Sequence, residues 1–349
     1  MIDNLKATAW RILAGMYVAS GMGWIRHRGR VVILTYHRVV SDHMVRDEHI
    51  QPGMYVRGQS FEAHITYLRK RFTIISLDAL LDLWQTNRLK SHQSYCVITF
   101  DDGWKDNYQF AFPVLMKYGI PATIFLATDF IGTARWFWPD QMMLLLEKSG
   151  QPTTGAGERK AVSTVLAETI GVTLSEGAGM FRRVESGAPT NPDAIIEFCK
   201  GIEVEKIHQI IDRLSRALRM DLPTHRVLLN WDEVREMADK GVTFGSHSGS
   251  HRIMTQIPLS EVKSELIASR KTMLEQGIKP VPVFCYPNGN FDRNIQELVK
   301  EGGYLAAVGC EVGLEGERPG DLFALKRVSL HEDSSTSVPL LAFALSGFR

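Results

Sequence analysis

Short, continuously apolar runs alternate with helical patterns along this chain. The runs are VVILTY (31–36), FTIIS (72–76), CVITF (96–100), ATIFLA (122–127), VTFGS (242–246), PVFCY (282–286), LAAVG (305–309) and KRVSL (326–330). A strand that is apolar on successive residues has no solvent side, so both of its faces must be covered, as in parallel sheets with helical crossovers. The intervening segments carry helix signals. Ser60 stands as an N-cap before Phe61–Arg71, and Gly119 closes the stretch that holds Pro113. Asn230 precedes Glu233 by three residues in a capping-box arrangement, and Gly277 follows a long helix from Ser260 to Glu275. Seven or eight such units point to an α/β chain with a closed or nearly closed (β/α) barrel, although the pattern alone does not force closure.

One segment breaks this rhythm. Residues 134–230 contain no strand signal and open on Trp136, Phe137 and Trp138. QPTTGAGER reads as a turn or loop, and helical patterns follow over about 160–185 and 193–219. The expected organisation is an N-terminal amphipathic segment (1–30) and a barrel over 31–349, interrupted by a helical insertion at 134–230. Hydrophobic residues at 44% and charged residues at 23% exclude global disorder. Forty basic against 39 acidic residues disfavour nucleic acid as the partner, because phosphate binding normally leaves a basic excess. Cys96, Cys199, Cys285 and Cys310 form no CxxC pair and read as buried reduced thiols.

Charge is uneven at the start. Residues 1–30 hold Lys6, Arg11, Arg26, Arg28 and Arg30 against Asp3 alone. The uncharged stretch 12–25 is shorter than the ~20 residues a bilayer span needs. Its basic cluster comes last, unlike that of a secretory signal. Leu5, Ala9, Ile12, Leu13, Met16 and Tyr17 recur at helical spacing. That face either packs on the domain or makes peripheral contact with an anionic membrane surface. The expected location is the cytoplasm or the inner face of the membrane, with secretion left open.

Two strand ends carry chemistry. Thr99-Phe100-Asp101-Asp102-Gly103 places two adjacent carboxylates after an apolar strand. Adjacent acids repel, and a metal on one would neutralise it and leave the other as a base. A turn or N-cap role is the alternative. Gly245-Ser246-His247-Ser248-Gly249-Ser250-His251 also ends a strand, with two histidines at i and i+4. On one side of a helical turn that spacing lets them share a metal. Together Asp102, His247 and His251 form a His₂-carboxylate set suited to one divalent metal, zinc first, with cobalt, manganese or nickel as alternatives. His37 directly follows the first strand and is a candidate site residue. Trp104 follows the acid pair as a candidate sugar-facing wall, with core packing as the alternative.

TFDDG followed by HSxxH resembles the polysaccharide deacetylase family, the NodB-type domain of carbohydrate esterase family 4, over residues 31–131 and 231–335. The resemblance implies a distorted (β/α) barrel of about seven parallel strands. It implies Asp101 as general base and Asp102, His247 and His251 as metal ligands. Tyr36-His37-Arg38-Val39 resembles the branch that acts on exopolysaccharides such as poly-N-acetylglucosamine. The family's third motif places an arginine before a Pro-Pro-Tyr-Gly-like turn. The matching segment here, Cys285-Tyr286-Pro287-Asn288-Gly289-Asn290, has no such arginine. Tyr286 and Asn288 are its candidate substrate contacts, and the backbone near Asn288 could serve an oxyanion. A Leu-x-His motif would supply the general acid; only Leu330-His331 is nearby, which makes His331 the candidate.

The expected activity is metal-dependent removal of N-acetyl groups from amino sugars of a polysaccharide or glycan intermediate. One alternative is a deacylase of a lipid-linked sugar, acting on O-acetyl or formyl groups. Another is a barrel that binds glycan without turning it over.

Overall fold

A computed structural model of the chain describes residues 2–47, 50–51, 53–151, 153–170 and 192–347. Its strands are β1 (Val31–Tyr36), β2 (Arg38–Val40), β3 (Tyr55–Arg57), β4 (Thr73–Ile74) and β5 (Tyr95–Phe100), followed by β6 (Thr123–Leu126), β7 (Thr243–Ser246), β8 (Val283–Cys285), β9 (Ala306–Val312) and β10 (Leu325–Ser329). β1, β10, β9, β8, β7, β6 and β5 form a ring of parallel neighbours. The seam closes where β1 pairs β5 from Val31↔Tyr95 to Tyr36↔Phe100. The fold is therefore a distorted (β/α) barrel of seven parallel strands. FTIIS contributes only β4, which pairs the first two residues of β5, whereas β6 pairs the last two. β1 occupies the other edge of β5, so β4 stays outside the ring. β2 and β3 form a separate parallel pair.

Residues two apart on each strand share the barrel interior. Val31, Ile33, Tyr95, Val97, Phe125, Val283, Ala306, Val308 and Leu325 pack in one cluster with Leu77, Leu80, Leu81 and Trp84 of the helix Leu77–Gln85. One step further along the same faces the residues turn polar, with Thr35, Thr99 and Arg327 all buried. The interior is thus apolar where the strands begin and polar where they end, the end at which barrel enzymes work. Gly245 belongs to this packing. A Cβ there would lie 2.6 Å from the Phe125 ring, so the aromatic fills the space a side chain would need.

The helix signals fare unevenly. The Asn230–Glu233 capping box forms with both of its hydrogen bonds. Gly119 and Gly277 adopt the expected left-handed φ, 62° and 78°. Ser60 does not cap. Its helix runs Gly58–Leu68, and the Ser60 hydroxyl donates instead to Glu332 Oε1 at 3.1 Å. Cys96, Cys199 and Cys285 are buried, but Cys310 is exposed, because β9 leaves the core at its C-terminal end.

The chain divides into two compact units, Met1–Thr133 with Val227–Arg349, and Ala134–Arg226. The second is all-helical among its described residues, and Leu145, Leu146, Leu166, Ile195, Ile210 and Leu214 form its core. QPTTGAGER is less of a loop than expected, because a helix starts within it at Ala156. The helical pattern over 160–185 is described only to residue 170. The one over 193–219 is two helices, Pro192–Cys199 and Val204–Leu218, broken around Gly201.

At the start of the chain, the helix Ile2–Ala19 packs Trp10 and Tyr17 on Phe343, with ring centroids 5.5 and 5.7 Å apart. His27, in the helix Met22–His27, donates from Nε2 to Leu345 O at 2.9 Å. Among the described residues no helix is long and apolar enough to cross a membrane.

Candidate active site

The acid pair sits where β5 leaves the sheet. Asp101 N still donates to Tyr36 O at 2.9 Å, which extends the β1–β5 ladder by one residue. Asp102 and Gly103 then both adopt positive φ, 74° and 81°, and the chain turns sharply. A Cβ on Gly103 would lie 2.8 Å from Leu126 Cδ2, so the turn needs glycine. Asp102 tolerates a conformation that costs a non-glycine residue about 1–2 kcal/mol. The turn separates the two side chains: Asp101 faces Arg327, and Asp102 faces the histidines.

β7 delivers those histidines. His247 N donates to Leu126 O at 2.9 Å, and the chain then leaves the sheet as a loop rather than as the helical turn expected from the i, i+4 spacing. Positive φ at Ser248 (63°) and His251 (58°) folds the loop back, which brings the two imidazoles to 4.9 Å between centroids. Glu265 fastens the loop by accepting from Gly249 N, Ser250 N and Ser250 Oγ at 2.8, 2.9 and 2.5 Å.

Asp102 Oδ1 lies 3.3 Å from His247 Nε2 and 3.2 Å from His251 Nε2. His247 Nδ1 is 2.8 Å from the carbonyl of Cys285, which can only accept. Nδ1 therefore carries a proton, and Nε2 is the ring nitrogen turned toward Asp102 and left to ligate a metal. Trp104 Nε1 donates to Asp102 Oδ2 at 2.9 Å, which turns Oδ1 toward the histidines. The three donor atoms lie within 4.8 Å of one another, and a divalent metal fits them. Burial pushes the Asp102 carboxyl up, but hydrogen bonds from His247 and His251 outweigh it and hold it well below the carboxylate range. Asp101, His247 and Cys285 also converge. They fit a metal less well, because burial pushes the Cys285 thiol up and Arg327 occupies both Asp101 oxygens.

The arginine missing from the Cys285–Asn290 segment comes from β10. Arg327 reaches Asp101 Oδ1 through Nη1 and Oδ2 through Nη2, each at 2.7 Å, and donates from Nε to Gly309 O at 2.8 Å. An irregular register between β9 and β10, with Leu325 opposite Val308 but Arg327 opposite Val312, accompanies that reach. Burial pushes the Asp101 carboxyl up, but the guanidinium outweighs it and holds the group down at about 2. The sequence signal was Arg327 inside the strand-like stretch Leu325–Leu330. Burial of that side chain within a strand requires a counter-charge.

The other candidates divide. His37 is half-buried just past β1, and its charge is among those acting on Asp101, Asp102 and His251. His331 follows β10, with Nδ1 3.8 Å from Asp333 Oδ2. Register pairs Thr35 with Ser329, so His37 and His331 stand two residues beyond a matched pair on the same rim. Trp104 is 2% exposed, so it is no sugar-facing wall. It supports Asp102, and its ring lies 4.5 Å from the Arg38 guanidinium, which Asp106 Oδ2 holds at 2.7 Å. Tyr286 is fully buried, donates to Phe323 O and stacks on Phe291, so its side chain cannot meet substrate. Asn288 is exposed, with φ 56°, and bonds Asn290.

A family model described as polysaccharide deacetylase matches residues 88–152 and 207–307. YxkH of Bacillus subtilis (strain 168), a chain placed among the polysaccharide deacetylases by name, is 37% identical over 123 residues, which cover 34% of this chain and 40% of that relative. The fold is similar to that of the Streptococcus pyogenes deacetylase PplD (TM-score 0.54, 16% identity, 88% of this chain and 94% of that one). It is also similar to that of IcaB from Ammonifex degensii (TM-score 0.55, 17% identity, 90% and 97%). The family match covers both strand ends that bear the acid pair and the histidines, and over those residues the chain is similar to the polysaccharide deacetylase family.

Proposed function

We propose that this chain is a metal-dependent hydrolase that removes N-acetyl groups from the amino sugars of a glycan. The observation that carries the reading is the Asp102–His247–His251 donor set beside a second carboxylate, Asp101, that Arg327 keeps ionised. A divalent metal held by Asp102, His247 and His251, zinc or else cobalt, manganese or nickel, supplies Lewis acidity toward an amide carbonyl. Asp101 takes the proton of the attacking water. The leaving nitrogen must gain a proton before its bond to carbon breaks, and His37 and His331 are the rim groups able to give one. At the Cys285–Asn290 turn, the N–H groups of Tyr286 and Gly289 are taken by Val308 and Tyr286 carbonyls. The N–H of Asn288 is that turn's contribution to an oxyanion. The resemblance of Tyr36-His37-Arg38-Val39 to the exopolysaccharide branch supports a substrate of the poly-N-acetylglucosamine type.

The test is metal stoichiometry by elemental analysis on protein without a polyhistidine tag, together with acetate release from N-acetylglucosamine oligomers. About one metal per chain is expected, lost in His247→Ala. Asp101→Asn is expected to keep the metal and lose acetate release. No metal after zinc is supplied would overturn the mechanism. Formate release exceeding acetate release would redirect it to a different acyl group.

A further inference from the structure

The helix Ile2–Ala19 has two apolar faces, and the barrel covers only one. Trp10, Ala14 and Tyr17 are on the covered side, against Phe343. Ile12 (59% exposed), Leu13 (48%), Met16 (64%) and Val18 (43%) face outward, and Ile25 (70%) follows in the next helix. Among the described residues thirteen large apolar side chains are exposed, and these five fall within fourteen residues of sequence. That clustering separates this surface from the scattered exposed apolar residues any protein carries.

Its charge is one-sided. Between Asp3 and Arg38 the sequence has five Lys/Arg and no carboxylate. Arg69, Lys70 and Arg71 add three consecutive exposed cations after the helix Gly58–Leu68. A cavity of about 240 Å³ joins the two features, because Tyr17, Val18 and Gly21 line it together with Lys70 and Arg71. A neighbouring depression of about 520 Å³ shares Lys70 and Arg71, holds Glu62, which Lys117 pairs at 2.7 Å, and reaches Val338, itself 44% exposed. Apolar side chains beside a cationic turn with concavities between them form an interfacial surface, built to lie on a bilayer and not to cross it.

We infer that this surface docks the chain on an anionic phospholipid bilayer. Ile12, Leu13 and Met16 enter the headgroup boundary, and Arg69, Lys70 and Arg71 meet lipid phosphates. The placement also sets direction. Met22–His27 leads into β1 and Arg69–Arg71 lead into β4, so the surface lies at the end of the barrel where strands begin. The acids and histidines follow strand ends, so the candidate active site opens away from the docked surface. The inference is independent of which acyl group is removed.

The test is co-sedimentation of the full chain with vesicles of phosphatidylcholine alone and with ~30% phosphatidylglycerol, at low and high salt. Binding is expected with the anionic vesicles only, and it should weaken as salt rises. Arg69→Ala/Lys70→Ala/Arg71→Ala should lower partition about a hundredfold. Ile12→Glu/Met16→Glu should abolish it. Both variants should keep the wild-type metal content and melting temperature, which separates lost docking from lost folding. Absence of wild-type binding to anionic vesicles would overturn the inference, as would unchanged binding in both variants. A wild-type dimer in light scattering that Ile12→Glu/Met16→Glu dissociates, without vesicle binding, would assign the face to self-association instead.

Discussion

Arg327 and Asp101 meet as a fork, two parallel hydrogen bonds of 2.7 Å between side chains 1% and 4% exposed. The guanidinium is spoken for on every side, because it also donates to Gly309 O and to Thr99 Oγ1. Such a pair is costly to bury and more costly to break, since either partner alone is an uncompensated charge in the barrel.

Arg327→Met should therefore destabilise the fold by about 3–5 kcal/mol, read by chemical denaturation. Arg327→Lys keeps the charge but loses the fork. It should fold, hold wild-type metal, and lose at least about tenfold in kcat/KM for acetate release. Wild-type kcat/KM in the lysine variant would remove Arg327 from any role in positioning the base.

Trp104→Phe keeps most of the buried ring and removes the one N–H that turns Asp102 toward the histidines. Metal affinity, measured by competition with a chelator, should fall by about 10–100-fold. The melting temperature should change little when compared metal-free. Unchanged affinity would mean that Asp102 is oriented by its backbone turn alone.

Stability should fall in mild acid through His64. This imidazole is buried between Tyr36 Oη and the Ser335 carbonyl, and burial pulls it down to about 4 from an ordinary value of 6.5. Below 6.5 the unfolded chain binds a proton that the folded chain refuses, so stability drops as pH falls from 6.5 toward 4 and levels off beneath. A shift of that size corresponds to about 3 kcal/mol. Denaturation from pH 7.5 to 4.5 should show this loss, and His64→Gln should flatten the part of the curve that His64 contributes.

Gly245→Ala places a methyl group against the Phe125 ring, 2.6 Å away before relaxation. A destabilisation of about 1–3 kcal/mol is expected. Phe125→Leu in the same chain should recover part of it, because the clash is with that ring. Failure of the double variant to recover stability would place the strain elsewhere in β7.

The alternation of apolar runs and helix signals made the barrel legible, since strands buried on both faces look alike wherever they stand. It could not show that Thr73 and Ile74 would pair outside the ring, because that depends on β1 already holding the other edge of β5. The candidate metal donors were legible because two residue types, aspartate and histidine, at two strand ends suffice to specify them. The folded-back loop that joins His247 to His251 was not, because it rests on left-handed residues Ser248 and His251 that are not glycines. Arg327 was hidden for a different reason. Its partner is remote in sequence, and the segment that resembled the arginine motif drew the search to β8. For Trp104 the sequence left a sugar-facing wall and a core role open, since sequence adjacency does not tell a wall from a strut, and its burial decides for the strut.

The wide spacing of Arg327 and Asp101, 226 positions apart, has a consequence for how the molecule is made. Synthesis runs from the N-terminus, so β5 and its acid exist long before β10 is translated. Until β10 inserts between β9 and β1, Asp101 lacks its counter-charge and the ring has a gap. On the proposed mechanism, a nascent or truncated chain that ends before residue 327 has Asp102, His247 and His251 without the charge-paired Asp101 beside them. The hydrolytic competence proposed here would then arrive only with the last strand, as the barrel closes.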